Sequence, residues 1–141
     1  MSYLTKLSRS SSLIAFVACG AILAVIKSEP ALARPTSPSS YQSSCENIKI
    51  NGATLSARCR LVNGSTKSTS ILIRGIENQN GNLIYSRNPI AASSYQVSCK
   101  NIDHTGATLL ASCRLVNGST KSTSILIRGI DNQNGNLTYS R

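Results

Sequence analysis

Thr54-Leu55-Ser56-Ala57-Arg58-Cys59-Arg60-Leu61-Val62 alternates along its length. Leu55, Ala57, Cys59 and Leu61 fall on one side, and Ser56, Arg58 and Arg60 on the other. A period of two puts successive side chains on opposite faces of an extended chain, so the segment reads as a strand with one face inward. Downstream, Ser70-Ile71-Leu72-Ile73-Arg74 is a short β-branched run. Gln79-Asn80-Gly81-Asn82 then supplies an Asn-Gly hairpin turn that returns through Leu83-Ile84-Tyr85. A two-residue hairpin turn wants positive φ at its centre, which Asn and Gly tolerate best. The polar run Ser65–Ser70 reads as a solvated loop. No segment carries a 3.6-residue apolar stripe of helical length, so the predicted class is all-β.

The same features return in a second copy. Ser39–Arg87 aligns with Ser93–Arg141 without a gap, and 40 of 49 residue pairs are identical. Asn88-Pro89-Ile90-Ala91-Ala92 joins the copies, giving repeat 1 (39–87), linker (88–92) and repeat 2 (93–141). Two copies are too few for a solenoid and suggest a pseudo-twofold object. A unit of this size buries too small a fraction of its surface to be comfortable alone. Sharing a core or exchanging elements would relieve that.

The whole chain has 141 residues, a net charge of +10, 40% hydrophobic and 4% aromatic residues. Its single His excludes multi-histidine metal sites. Residues 1–33 read as an export leader: Lys6 and Arg9 precede an apolar run from Leu13 to Ile26, and Ala31-Leu32-Ala33 is a small-x-small cleavage site. A lipoprotein cut at Cys19 would leave only about six apolar residues ahead of it, short for such a leader. The mature chain would be 34–141, with twelve basic and four acidic side chains and a net charge of +8, and is expected to be secreted or periplasmic without a membrane span. Four cysteines remain: Cys45, Cys59, Cys99 and Cys113. An even set in an exported domain is most simply two disulfides. Three connectivities are open, and the matched spacing of 14 favours Cys45–Cys59 and Cys99–Cys113.

Both copies carry Gly-Ala-Thr-Leu-x-Ala-x-Cys and then Ile-Glu/Asp-Asn-Gln-Asn-Gly-Asn-Leu-x-Tyr, with paired cysteines, in one order. In these features, over nearly the whole mature chain, the sequence resembles the cyanovirin-N homology family. The resemblance implies an elongated two-disulfide β-fold in which each half takes a three-stranded sheet from one repeat and a hairpin from the other. Those halves would be about 39–75 with 129–141, and about 76–128. It also implies a lectin without cofactor, binding mannose-type oligosaccharides, typically α(1→2)-linked, on high-mannose glycans or glycoproteins. One pocket would combine Ser40, Ser44, Arg60, Val62 and Asn63 with Asp131, Asn132, Gln133 and Asn134. The other would combine Ser94, Ser98, Arg114, Val116 and Asn117 with Glu77, Asn78, Gln79 and Asn80. Monomers or domain-swapped dimers are both compatible with the linker around Pro89.

The chemistry of these residues suits a sugar, whose hydroxyls donate and accept. Asn and Gln offer a carbonyl acceptor and two amide donors, and Asp and Glu offer strong acceptors. The bland alternative is that Asn is ordinary turn chemistry. The sequence departs from the family pattern at Asn80 and Asn134, where members often carry Asp, and at Val97 and Val116, which replace polar side chains. Those departures favour a competing reading, a cell-envelope structural or adhesive module or an anionic-glycan binder. The positive charge raises non-specific affinity for polyanions, but aromatics for base stacking are scarce, so no specific nucleic-acid partner is expected. Nor is an enzyme expected. His104 has Ile50 at its equivalent position and Asp103 too near in sequence to orient it, and the carboxylates Glu46, Glu77, Asp103 and Asp131 offer no convincing pair. The cysteines lack a Cys-x-x-Cys pair for zinc. Asn63-Gly64-Ser65, Asn117-Gly118-Ser119 and Asn136-Leu137-Thr138 match the glycosylation sequon but also suit turns.

Overall fold

Among the described residues, ten strands follow one another in two equal sets. A computed structural model describes residues 36–140; the leader read over residues 1–33 and Arg141 lie outside them. In repeat 1 a single 3-10 turn (Tyr41–Ser43) leads into β1 (Cys45–Asn51), β2 (Thr54–Arg60) and β3 (Thr66–Leu72), then the hairpin β4 (Ile76–Gln79) and β5 (Asn82–Tyr85). Repeat 2 gives a 3-10 turn (Tyr95–Val97), β6 (Cys99–Thr105), β7 (Thr108–Arg114), β8 (Thr120–Leu126), β9 (Ile130–Gln133) and β10 (Asn136–Tyr139). The sheets are β1-β2-β3 and β6-β7-β8, with two separate two-stranded hairpins, all antiparallel. Among the described residues, no helix is long and apolar enough to cross a membrane.

The alternating segment forms β2, with Leu55, Ala57 and Cys59 buried and Arg58 and Arg60 exposed. The polar run expected to be a loop is instead strand β3, and its copy is β8. Apolar alternation is missing there because the inward side meets a hairpin through polar contacts. Thr69 Oγ1 accepts from Leu137 N at 3.2 Å, and Lys67 Nζ donates to Asn136 Oδ1 at 2.7 Å. Thr123 and Lys121 do the same for Leu83 and Asn82. A backbone ladder to β2 pairs one edge of the run, so it needs no apolar side chain to be a strand.

Each hairpin therefore packs on the sheet of the other repeat. Tyr139 secures one of them: its hydroxyl donates to Leu72 O (2.9 Å) and accepts from Arg74 N (2.8 Å), with the Arg74 guanidinium 5.2 Å from the ring centre. Tyr85 repeats the arrangement with Leu126, Arg128 and a 5.4 Å ring contact. Tyr41 and Tyr95, both fully buried, reach across the pseudo-twofold to Gly106 O and Gly52 O. One core runs through both repeats and includes Leu55, Ile73, Ile76, Leu109, Ile127 and Ile130. This arrangement gives the 49-residue unit the partner its size requires.

The disulfides are Cys45–Cys59 and Cys99–Cys113, each joining facing residues of neighbouring strands. His104 is a half-buried residue of β6 whose Nε2 lies 3.0 Å from Ile48 O of β1.

Candidate functional site

The hairpin turn β9–β10 meets the first sheet beside the end of β2. Asn134, at the turn's apex, has φ +48, and its Oδ1 accepts from Val62 N at 3.0 Å. Gly135 follows with φ +81, and a Cβ there would stand 2.8 Å from Leu61 Cδ1, so glycine allows both the turn and the close approach. Asn132 points from β9 into the junction. Its Nδ2 donates to Ser44 Oγ (3.0 Å) and Arg60 O (2.9 Å), while its Oδ1 accepts from Gly135 N (2.8 Å). Ser40 Oγ donates to Asp131 Oδ1 at 2.5 Å.

The second junction repeats this frame. Asn78 bonds Ser98 Oγ, Arg114 O and Gly81 N, and Asn80 Oδ1 accepts from Val116 N at 3.0 Å. Asn63 and Asn117 serve their own turns, each accepting from the N–H and hydroxyl of the serine two residues on. Gln79 and Gln133 are exposed at the ends of β4 and β9.

The structure thus joins Ser40, Ser44, Arg60 and Val62 to Asp131, Asn132 and Asn134, and Ser98, Arg114 and Val116 to Asn78 and Asn80. Capacity for a ligand is uneven within each set. Both amide hydrogens of Asn132 and Asn78 are committed, whereas the amide nitrogens of Asn134 and Asn80 have no partner among the described residues. Ser44 and Ser98 accept from the asparagines and keep a hydroxyl proton to donate.

An open cleft of about 110 Å³ lies beside the first junction, lined by Ser43, Ser44, Cys45, Glu46, Arg58, Arg60 and Thr66. Its counterpart, about 230 Å³, is lined by residues that include Val97, Ser98, Lys100, Ser112, Arg114 and Thr120. Hydroxyls, cations and a disulfide wall are common to both. Val62 and Val116 are 90% exposed and Val97 85%, apolar surface that can lie against the C–H face of a sugar ring. Sequence reasoning missed Ser43, Glu46, Arg58 and Thr66, with Lys100, Ser112 and Thr120. The signal that could have found several of them is divergence between otherwise identical copies. Ser43/Val97, Glu46/Lys100 and Arg58/Ser112 are three of only nine differing pairs.

The description of the CVNH domain matches residues 41–138. Among solved structures, the CVNH protein of T. borchii is 27% identical, with 72% of this chain and 99% of that one covered and a TM-score of 0.58. Microvirin, solved as a complex with mannobiose, is 24% identical over 71% of this chain and 97% of its own, TM-score 0.56. A MoCVNH3 variant, solved in complex with (N-GlcNAc)4, is 18% identical over 76% of this chain and 99% of its own, TM-score 0.61. No curated protein matches the sequence. With its paired sheets and hairpins, its two disulfides and a match from Tyr41 to Thr138, the chain belongs to the CVNH domain family.

Proposed function

We propose that the chain is an exported, non-catalytic lectin that binds mannose-type oligosaccharides, α(1→2)-linked mannose in particular, in the two junction clefts. The observation that carries this reading is the amide of Asn134, without a partner among the described residues, at the same hairpin–sheet junction whose Ser44 and Arg60 line a hydroxyl- and arginine-bearing cleft, repeated by Asn80 at the junction of Ser98 and Arg114. Such groups answer vicinal hydroxyls with both donors and acceptors. Microvirin's mannobiose complex and the (N-GlcNAc)4 complex of the MoCVNH3 variant support a sugar as the ligand. Two weak clefts on one body would gain by avidity on a branched glycan. A second reading, an anionic-glycan ligand, is favoured by the second cleft, where Lys100 and Arg114 stand without an acidic neighbour in the lining.

The test is an NMR titration of oxidised 34–141 with α(1→2)-mannobiose at low and high salt. Salt-insensitive shifts at Asn80, Asn134, Ser44 and Ser98 are expected. Silence at all four would remove mannose from the reading.

A further inference from the structure

Beside the first junction cleft, with which it shares Arg58, the outward face of the first sheet forms an open groove of about 420 Å³, lined by Asn47, Lys49, Ser56, Arg58, Ser68 and Ser70 with the edges of Ala57 and Thr69. We propose that this groove binds an anionic polysaccharide, Lys49 and Arg58 holding its sulfate or carboxylate groups and the serines its hydroxyls.

The register places these side chains in two rungs. Lys49 faces Ser56, which faces Ser70; Arg58 faces Ser68. Residues two apart on a strand are about 7 Å apart and share a face, so the two cations are staggered along a hydroxyl-rich floor. A bulge shapes the groove. The β1–β2 register shifts between Glu46 and Lys49, and Asn47 takes φ +52, which bends the strand and re-aims its side chains. Arg58 Nη2 donates to Thr66 Oγ1 at 2.7 Å, which holds the guanidinium at the border of the groove and the first junction cleft and leaves its other donors available. Glu46, its cross-strand neighbour, lines the adjoining cleft rather than the groove.

The second repeat serves as an internal comparison. The equivalent groove, about 360 Å³, keeps the asparagine bulge at Asn101 and the hydroxyls of Ser122 and Thr123. Its three changed lining positions are Lys49/Asp103, Ser56/Leu110 and Arg58/Ser112. Each change removes a cation or a hydroxyl from the second face, and one adds a carboxylate. A frame that is otherwise the same has thus become cationic in one copy and unsuited to anions in the other. Arg58 also lines the first junction cleft, but the assignment of the groove does not rest on what that cleft binds.

The comparison also supplies a variant that should fold, because K49D/R58S installs residues the second sheet already carries in the same register. Binding of oxidised 34–141 to a dextran sulfate oligosaccharide and to an oligogalacturonate is measured by calorimetry, with neutral dextran as control. K49D/R58S should weaken the sulfated or the carboxylated ligand by roughly tenfold or more, since two charge contacts are lost and one repulsion gained. R34S/R87D removes the same net charge elsewhere, at residues that line neither the groove nor a junction cleft, and should weaken binding much less. D103K/S112R should create a second site, read as new amide shifts at Asn101 and Ser122. Which oligosaccharide binds separates a sulfate from a carboxylate partner. Absence of binding to both, or equal losses in K49D/R58S and R34S/R87D, would overturn the proposal. Shifts confined to Asn80 and Asn134 would support the junction lectin and also overturn the groove.

Discussion

Asn132 Nδ2 donates to Ser44 Oγ at 3.0 Å, and Asn78 Nδ2 to Ser98 Oγ at 2.9 Å, so a hairpin of one repeat is tied to the 3-10 turn of the other by the same amide on both sides of the pseudo-twofold. The serine so held is also a lining residue of the junction cleft. Attachment of the hairpin and shape of the cleft are therefore one problem, solved by one side chain.

Asn132→Ala should separate that role from direct recognition. It deletes three hydrogen bonds in a half-buried position, which corresponds to about 2–3 kcal/mol of stability. Urea denaturation reads the loss, and NMR should show the first cleft losing sugar while the second keeps it. An unchanged denaturation midpoint would mean that the three bonds are not formed in solution.

Gly135→Ala tests the close approach at the turn. The residue has φ +81, and the new methyl would meet Leu61 Cδ1 at 2.8 Å. Left-handed backbone alone costs an L-residue about 1–2 kcal/mol. Displacement of Leu61 should add to that and tilt the turn away from Val62. Asn134→Gly, by contrast, loses one bond but gains a residue suited to φ +48, and should leave stability nearly unchanged while removing an amide donor from the junction. Thermal melts and mannobiose titrations of the two variants should thus diverge. A melt of Gly135→Ala at the parent temperature would refute the packing argument.

Much of this was legible beforehand, and for identifiable reasons. The apolar alternation of Leu55, Ala57 and Cys59 and the Asn80-Gly81 turn are local signals, and both became the elements they predicted. The pairing Cys45–Cys59 followed from a repeated spacing and is present. Strand β3 was legible only at its end, Ser70 to Leu72, because its first half instead presents Lys67 and Thr69 to a hairpin lying 69 and 68 positions away in sequence. Nor did residue type distinguish roles among the asparagines. Asn132 is consumed by protein contacts while Asn134 keeps a free amide, a difference that depends on where Arg60 O and Ser44 Oγ happen to stand.

Alkaline pH should unfold the protein through its tyrosines. Burial raises Tyr41 and Tyr139 from 10.0 to about 12, and Tyr95 higher still. The folded state then holds these protons more tightly than the unfolded chain. Their contribution to stability is whole below pH 10 and is lost as pH rises from there through 12. Tyrosinate absorbance and circular dichroism followed together should show a cooperative transition in that window. Gradual ionisation from pH 10 with the fold intact would contradict the burial of these hydroxyls.

The linker sets which molecule a hairpin closes on. Gly75 N donates to Ala91 O at 2.8 Å and Arg74 pairs with Ala92, so the end of the linker is fastened to the strand that begins the hairpin. Pro89 packs against Gly75, where a Cβ would come within 3.2 Å. With residues 88–92 intact, the chain can return and lay β5 on its own β8. The intact protein should accordingly elute as a monomer. Deleting Asn88–Ile90 removes the slack for that return, while every hairpin-to-sheet contact stays available from a second copy. Light scattering should then find a dimer whose share grows with concentration, its β-structure and its Ser44–Asn132 contact preserved. A shortened chain that remains monomeric and folded would show that the linker does not govern closure.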